Sequence, residues 1–228
     1  MKLYREENIQ KIIGAIELDE YDDSTQDKNV GQEDFELVVD KFLDLNVLPG
    51  QVLEIGCGSG DSLGKYGITH GIEPCEKRFN RAKEKGFDVR RNVAEYIEFE
   101  DHKFDTVLMI NGFFQVRSDY EALIEINRVL KIGGRFIINL LINDDIDIIL
   151  GRCLGYKNYI RLMNQFGFEL VAYNKHNAGK RFTPAEQIGV VIAMEKVRDF
   201  DNRYLNLPQV TDFNAFKNFI KERDWKLF

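Results

Sequence analysis

The segment Val52-Leu53-Glu54-Ile55-Gly56-Cys57-Gly58-Ser59-Gly60-Asp61 constrains this chain more than any other. An apolar strand-like run enters from Pro49-Gly50, three glycines alternate, and helix-compatible residues follow. Glycines here permit positive φ and let a ligand approach bare backbone. The N–H groups beyond them, at a helix start, favour a negatively charged ligand group. From Gln51 onward strand-like and helix-like runs alternate, which predicts a mainly parallel sheet covered by helices.

His70-Gly71-Ile72-Glu73 reads as a second strand closed by Pro74, and a helix follows with Phe79 and Ala82 one turn apart. Gly86 stands where a left-handed residue ends that helix. Phe87 to Arg90 and Phe104 to Ile110 give strands three and four. Ser118 and Glu121 are spaced as a capping box, each side chain serving a free N–H at the helix start. Leu123, Ile126, Val129 and Leu130 then share one helical face, ended by Gly133-Gly134. Arg135 to Ile142 is nearly continuous apolar sequence, as a strand buried on both faces requires. A helix around Asn158 to Phe166 stops at Gly167; strands Phe168 to Tyr173 and Gly189 to Glu195 flank a polar loop containing Pro184. Residues 1–50 read as two helices around an acidic stretch, and residues 212–228 as a terminal helix carrying Phe213, Phe216 and Ile220 on one side.

Charge narrows the partners. Lys plus Arg number 31 against 38 Asp plus Glu, a net of -7, so the gross balance carries no nucleic-acid footprint. The acids concentrate in the first fifty residues. Three cysteines, Cys57, Cys75 and Cys153, without a Cys-x-x-Cys pair exclude a disulfide framework and a thiolate zinc site, and fit a reducing cytosol. His70, His102 and His176 lack metal-ligand spacing, so no metal is expected. The N-terminus lacks the apolar core of a signal peptide. The best apolar stretch, Phe136 to Ile142, is far short of a membrane span. A cytoplasmic protein without a membrane partner is expected.

Spacing also sorts the candidate ligands. A dinucleotide fingerprint needs a third glycine at position 61, which is Asp61. The phosphate loop Gly-x-x-x-x-Gly-Lys-[Ser/Thr] fails because Gly64-Lys65 is followed by Tyr66 and position 59 is serine.

Glu54-Ile55-Gly56-Cys57-Gly58-Ser59-Gly60 resembles motif I of the class I S-adenosylmethionine-dependent methyltransferases. The resemblance runs from about Asp34 to Val197. Glu73 stands where that family places its ribose-binding acid, and Phe104-Asp105-Thr106-Val107 matches its fourth strand. Arg128-Val129-Leu130-Lys131-Ile132-Gly133-Gly134 is similar to the family's Arg-Val-Leu-Lys-Pro-Gly-Gly stretch, and Leu162 to Val171 to its helix-Gly-Phe-strand passage. The implied fold is a Rossmann-like three-layer α/β sandwich, a seven-stranded mainly parallel sheet with an antiparallel last strand.

The implied cofactor is S-adenosylmethionine, with S-adenosylhomocysteine as product. Carried over residue by residue, Glu54 serves the ammonium side while Gly56, Cys57, Gly58 and Gly60 make room for the chain. Glu73, followed by Pro74, offers two acceptors to two hydroxyls, and an ionised carboxylate makes the stronger bonds. At the adenine the usual Gly-Asp-Ala-Glu becomes Asn92-Val93-Ala94-Glu95, with valine at the Asp position. The Ala94 N–H can still meet a ring nitrogen, but the side-chain contact is lost unless Asn92 or Glu95 substitutes. Ile110 and Asn111, at the strand-four exit, complete the cofactor set, with Gln115 a further candidate there. Cys57 reads as loop filler rather than a nucleophile, since nothing nearby lowers its pKa.

These readings imply an enzyme moving a methyl group to an oxygen or nitrogen of a small-molecule acceptor, with no catalytic base identified. The alternatives are the same fold acting on RNA or protein through Lys175, Lys180, Arg181, Arg198 and Arg203, or a non-catalytic cofactor-binding module. The expected divisions are an N-terminal helix and acidic lid-like segment over 1–33, a methyltransferase domain over 34–197, and a helical extension over 198–228. Oligomeric state and acceptor are not specified.

Overall fold

A computed structural model describes residues 50–65, 68, 70–110, 116, 118–142, 156–179 and 187–201. The expectations for residues 1–49, Asn111 to Gln115, the 143–155 connection, the loop around Pro184 and the C-terminal helix lie outside these residues.

The elements, in chain order, are β1 (Val52–Ile55), α1 (Asp61–Lys65), β2 (His70–Ile72), α2 (Glu76–Glu84), β3 (Asp88–Arg90) and β4 (Phe104–Met109), followed by α3 (Asp119–Val129), β5 (Leu130–Ile142), α4 (Tyr156–Gln165), β6 (Phe168–Gly179) and β7 (Gln187–Lys196). They form one seven-stranded sheet in the order β3-β2-β1-β4-β5-β7-β6. The first four junctions are parallel, and β7 runs antiparallel to both β5 and β6. The order reverses between β1 and β4, and a doubly wound sheet opens its ligand crevice at such a point, beyond the strand C-termini.

Strand alternation divides the core into two layers. Leu53, Ile55, Val107, Met109, Phe136 and Ile138 pack with Leu123 and Ile126 of α3, Met163 of α4 and Phe166 just beyond it. Val52, Leu108 and Ile137 pack on the opposite face with Leu63 of α1 and Ala82 of α2. Burying a side chain of this size contributes about 1.5–3 kcal/mol. Glu54 shares the face of Val52 and therefore lies beneath α1. That one alternation places an acid inside the sheet's apolar surface.

Three sequence expectations shift in detail. Helix α3 begins at the expected N-cap, where Ser118 Oγ accepts from the Glu121 N–H at 3.3 Å. The second half of the cap is not made by Glu121, however: the Ser118 N–H donates to Glu95 Oε1 at 3.1 Å, from the segment after β3. The Gly133-Gly134 pair does not end the helix, which stops at Val129. Phe104 pairs with Leu130 and Thr106 with Arg135, so the intervening residues loop out of the ladder, with Gly133 at φ 77°. Strands β6 and β7 run on through the polar stretch read as loop, pairing as far as Gly179 with Gln187. Backbone pairing there overrides the polar composition.

Two networks tie neighbouring loops to the end of α3. Arg128 donates to both Glu125 oxygens at 2.7 Å, to Asp101 at 2.7 Å, and to the carbonyls of Phe99 and Ile97 at 2.8 and 2.6 Å. Burial opposes its charge, yet the Glu125 and Asp101 carboxylates raise its pKa still further. Asn127, buried, donates to Phe166 O and Arg198 O and accepts from the Phe200 N–H. Beside it the fully buried Lys196 donates to Asn127 O at 2.7 Å and Leu130 O at 2.8 Å, and pairs with Asp199.

Candidate cofactor-binding site

The loop after β1 owes its path to its glycines. Gly56, Gly58 and Gly60 have φ of 73°, 56° and 78°, values that side chains rarely adopt. A Cβ on Gly56 or Gly58 would meet nothing within 4 Å, so both present bare backbone to open space. At Gly60 a Cβ would press on Ala82 at 3.1 Å and Phe87 at 3.2 Å, so the third glycine serves packing of the loop onto α2.

The N–H groups of the glycine loop itself turn inward. Gly56 and Cys57 both donate to Ile72 O, Gly58 to the Glu73 carboxylate, and Gly60 to Cys57 O. These N–H groups are already engaged within the protein. In their place two carboxylates line the loop, Glu54 and Glu73, each 4% exposed. A phosphate placed here would face two acids instead of free donors, which sets this loop apart from a nucleotide phosphate cradle.

Glu73 lies one residue past β2, and its two oxygens point to different elements. Oε2 accepts from the Gly58 N–H at 2.9 Å and Oε1 from the Cys75 N–H at 2.9 Å. Cys75 is the N-cap of α2 and makes no side-chain cap, so Glu73 also serves that helix start. Each carboxylate oxygen accepts more than one bond, so both keep capacity for ligand hydroxyls. Burial raises its pKa, opposed by the Cys75 N–H, the Arg78 charge and the Gly58 N–H.

Glu54 sits under the Ser62 hydroxyl, which donates to Oε1 at 2.8 Å and Oε2 at 2.6 Å. Burial, with a smaller push from the Glu73 charge, lifts its pKa to about 7 against the lowering effect of Ser62. Two buried acids that repel each other gain from a cation arriving between them. This set of acceptors fits a ligand with an ammonium, a sulfonium and vicinal hydroxyls. Ser62 escaped sequence reasoning, although a hydroxyl two residues past the third glycine was the available signal.

The remaining predicted residues divide. Cys57 turns its side chain into the core, against Gly71, where a Cβ would lie 2.6 Å from its sulfur. Burial raises the thiol pKa, in line with a filler. Pro74 offers its carbonyl to Arg91 Nε at 3.4 Å. Asn92 is buried with Oδ1 accepting from the Glu98 N–H and Nδ2 donating to Arg91 O, while Glu95 is bonded to Ser118. Neither side chain that could replace the adenine-reading Asp is idle. Val93 and Ala94 are buried between them, and Val93 O accepts from the Tyr96 N–H. Ile110 directly follows β4, half-buried against the Val52 layer; Asn111 lies outside the described residues.

Residues 53–138 match the family model described as a methyltransferase domain, a span holding Glu54, the glycine loop, Glu73 and the 92–95 segment. The uncharacterized protein MJ1123 of Methanocaldococcus jannaschii is 28% identical over 137 residues, 53% of this chain and 65% of that protein. A demethylmenaquinone methyltransferase of Staphylococcus aureus is 35% identical over 105 residues, 40% of this chain and 43% of the enzyme. The aligned part of the chain thus spans less than two thirds of either relative. The crystal structure of an S-adenosylmethionine-dependent methyltransferase from Thermotoga maritima superposes with a TM-score of 0.54 at 22% identity, covering 72% of this chain and 97% of that one. At that identity the likeness shows the fold alone. Family match, strand order and acid-lined glycine loop agree: residues 53–138 carry a methyltransferase domain, and together these findings support a class I S-adenosylmethionine-dependent methyltransferase with S-adenosylmethionine as its cofactor.

Proposed function

We propose that this protein catalyses methyl transfer from S-adenosylmethionine to an oxygen or nitrogen of a small-molecule acceptor. The observation that carries the reading is the pair of buried carboxylates flanking a glycine loop whose own N–H groups are engaged. When bound, the cofactor supplies a methyl group already activated on a sulfonium, so the protein's task is positioning and exclusion of water. Glu54 would hold the ammonium end, Gly56 and Gly58 would leave room for the chain, and Glu73 would take the two ribose hydroxyls. The base would rest against Val93 and Ala94, read by shape and backbone rather than by an acid.

Charge supports the small-molecule class. The chain carries a net of -7. Of the basic residues that could build a polyanion groove, Arg198 donates to the carbonyls of Asn164 and Gln165 at the end of α4. A reducing, cytoplasmic setting is part of the proposal, supported by the free thiols of Cys57 and Cys75. No helix among the described residues is long and apolar enough to cross a membrane.

The test is ligand-dependent melting followed by turnover. S-adenosylmethionine and S-adenosylhomocysteine, added at saturation, should each raise the melting temperature. S-adenosylhomocysteine should then accumulate with some member of a panel of phenols, carboxylic acids and amines. Accumulation with transfer RNA or a protein extract, and with no small acceptor, would replace the acceptor class. Binding without turnover on any acceptor would favour a non-catalytic module.

A further inference from the structure

Ser62 is half-buried in the first turn of α1, with its Oγ within hydrogen-bonding distance of both oxygens of Glu54. A hydroxyl donates one proton and can accept another. A serine centred on a carboxyl therefore suits both charge states: the ionised acid shares the serine proton, and the protonated acid returns one. The groups facing Glu54 from the packed elements are Glu73 past β2, a like charge, and the Cys57 thiol in the loop. Arg78 of α2 acts on Glu73.

We propose that Ser62 is a positioning residue that holds Glu54 as a proton-linked receptor for the cofactor's ammonium, so that cofactor capture expels one proton to solvent. The inference rests on the cofactor reading above and adds to it a residue and a linkage. The balance is simple. The carboxyl O–H bond breaks, the proton leaves to buffer, and the resulting carboxylate pairs with the incoming ammonium while keeping the Ser62 hydrogen bond. The burial of Glu54 and the neighbouring Glu73 charge, which together hold its pKa near 7, supply the proton that is lost.

Calorimetry with S-adenosylhomocysteine, from pH 5.5 to 7.5 in buffers of different ionisation heat, tests this below the range where the ligand's own ammonium titrates. Affinity should rise roughly 20-fold over that range, with close to one proton released per ligand at the acid end. Glu54→Gln should bind with a flat pH profile and no proton release. Ser62→Ala, which removes the bond that favours the charged acid, should displace the rise to higher pH and weaken binding several-fold at pH 7, and Ser62→Thr should restore it. Tight binding that is independent of pH in the parent protein would overturn this inference and leave the cofactor reading intact. No binding at any pH would overturn both.

Discussion

The Gly58 N–H and the Glu73 carboxylate, 2.9 Å apart, tie the glycine loop to the end of the second strand. The acid that would grip the ligand also fixes the loop that makes room for it, so loop shape and ligand grip are set by one side chain. Gly58→Ala separates the two effects. A residue other than glycine at φ 56° costs about 1–2 kcal/mol, and its methyl would project into the open space before the loop. Denaturant unfolding should show that modest loss, while affinity for S-adenosylhomocysteine falls by at least about tenfold, since a filled cradle excludes the chain.

Glu54 makes the ligand-free protein less stable as pH rises. Its carboxyl titrates near 7 when folded and at its ordinary value of 4.5 when unfolded. Between those values the folded state holds a proton that the unfolded state has lost, so stability declines by up to about 3 kcal/mol across the window. Glu54→Gln should remove that slope and be more stable than the parent at pH 8 by a similar amount, with the gap closing near pH 4.5. Urea midpoints at the two pH values check it. Asp199, whose carboxyl is held below its usual range by Lys196, acts with the opposite sign and only under about pH 4.

Asn127 joins three segments through one amide, and its loss would strand two carbonyls and the Phe200 N–H. Asn127→Leu should cost about 2–4 kcal/mol, because each buried polar group left without a partner is expensive. Guanidinium titration should show this as a lower midpoint with an unchanged slope.

Arg128 is a different case because its geometry matters as much as its charge. Arg128→Lys keeps the charge but cannot make the paired bonds to Glu125 while also reaching the Phe99 and Ile97 carbonyls. A loss of about 2 kcal/mol is expected, with little rescue by lysine relative to Arg128→Met. Since the Ile97 to Asp101 loop follows directly on the 92–95 segment, cofactor affinity should weaken along with the melting temperature.

Much of the sheet was legible because strand alternation and glycine punctuation are local signals. Leu53 and Ile55 against Val52 and Glu54 announce a two-faced strand, and Gly86, with φ 88°, ends its helix as its position implies. The misses have non-local causes. Glu95 caps α3 from 23 residues away, a partnership that no spacing rule contains. The polar residues after Tyr173 extend β6 because β7 lies beside them. At the site, Glu54 and Glu73 were readable by type and order. What was not readable was that the N–H groups of Gly56, Cys57, Gly58 and Gly60 would be satisfied within the protein, beside two buried acids. The match of Arg128 and Asp105 to family sequence is explained by structure: the one holds a loop, and the other accepts from Lys131 and the Gln51 N–H.

The central claim is that Glu73 holds the ribose end of S-adenosylmethionine. Titration calorimetry of S-adenosylhomocysteine into the parent protein and Glu73→Gln measures it directly. Loss of charge-assisted bonds worth about 1.5–3 kcal/mol should weaken binding roughly 10- to 150-fold, with Glu73→Ala weaker still. Equal affinity in the parent and in Glu73→Gln, with both proteins folded, would contradict the account.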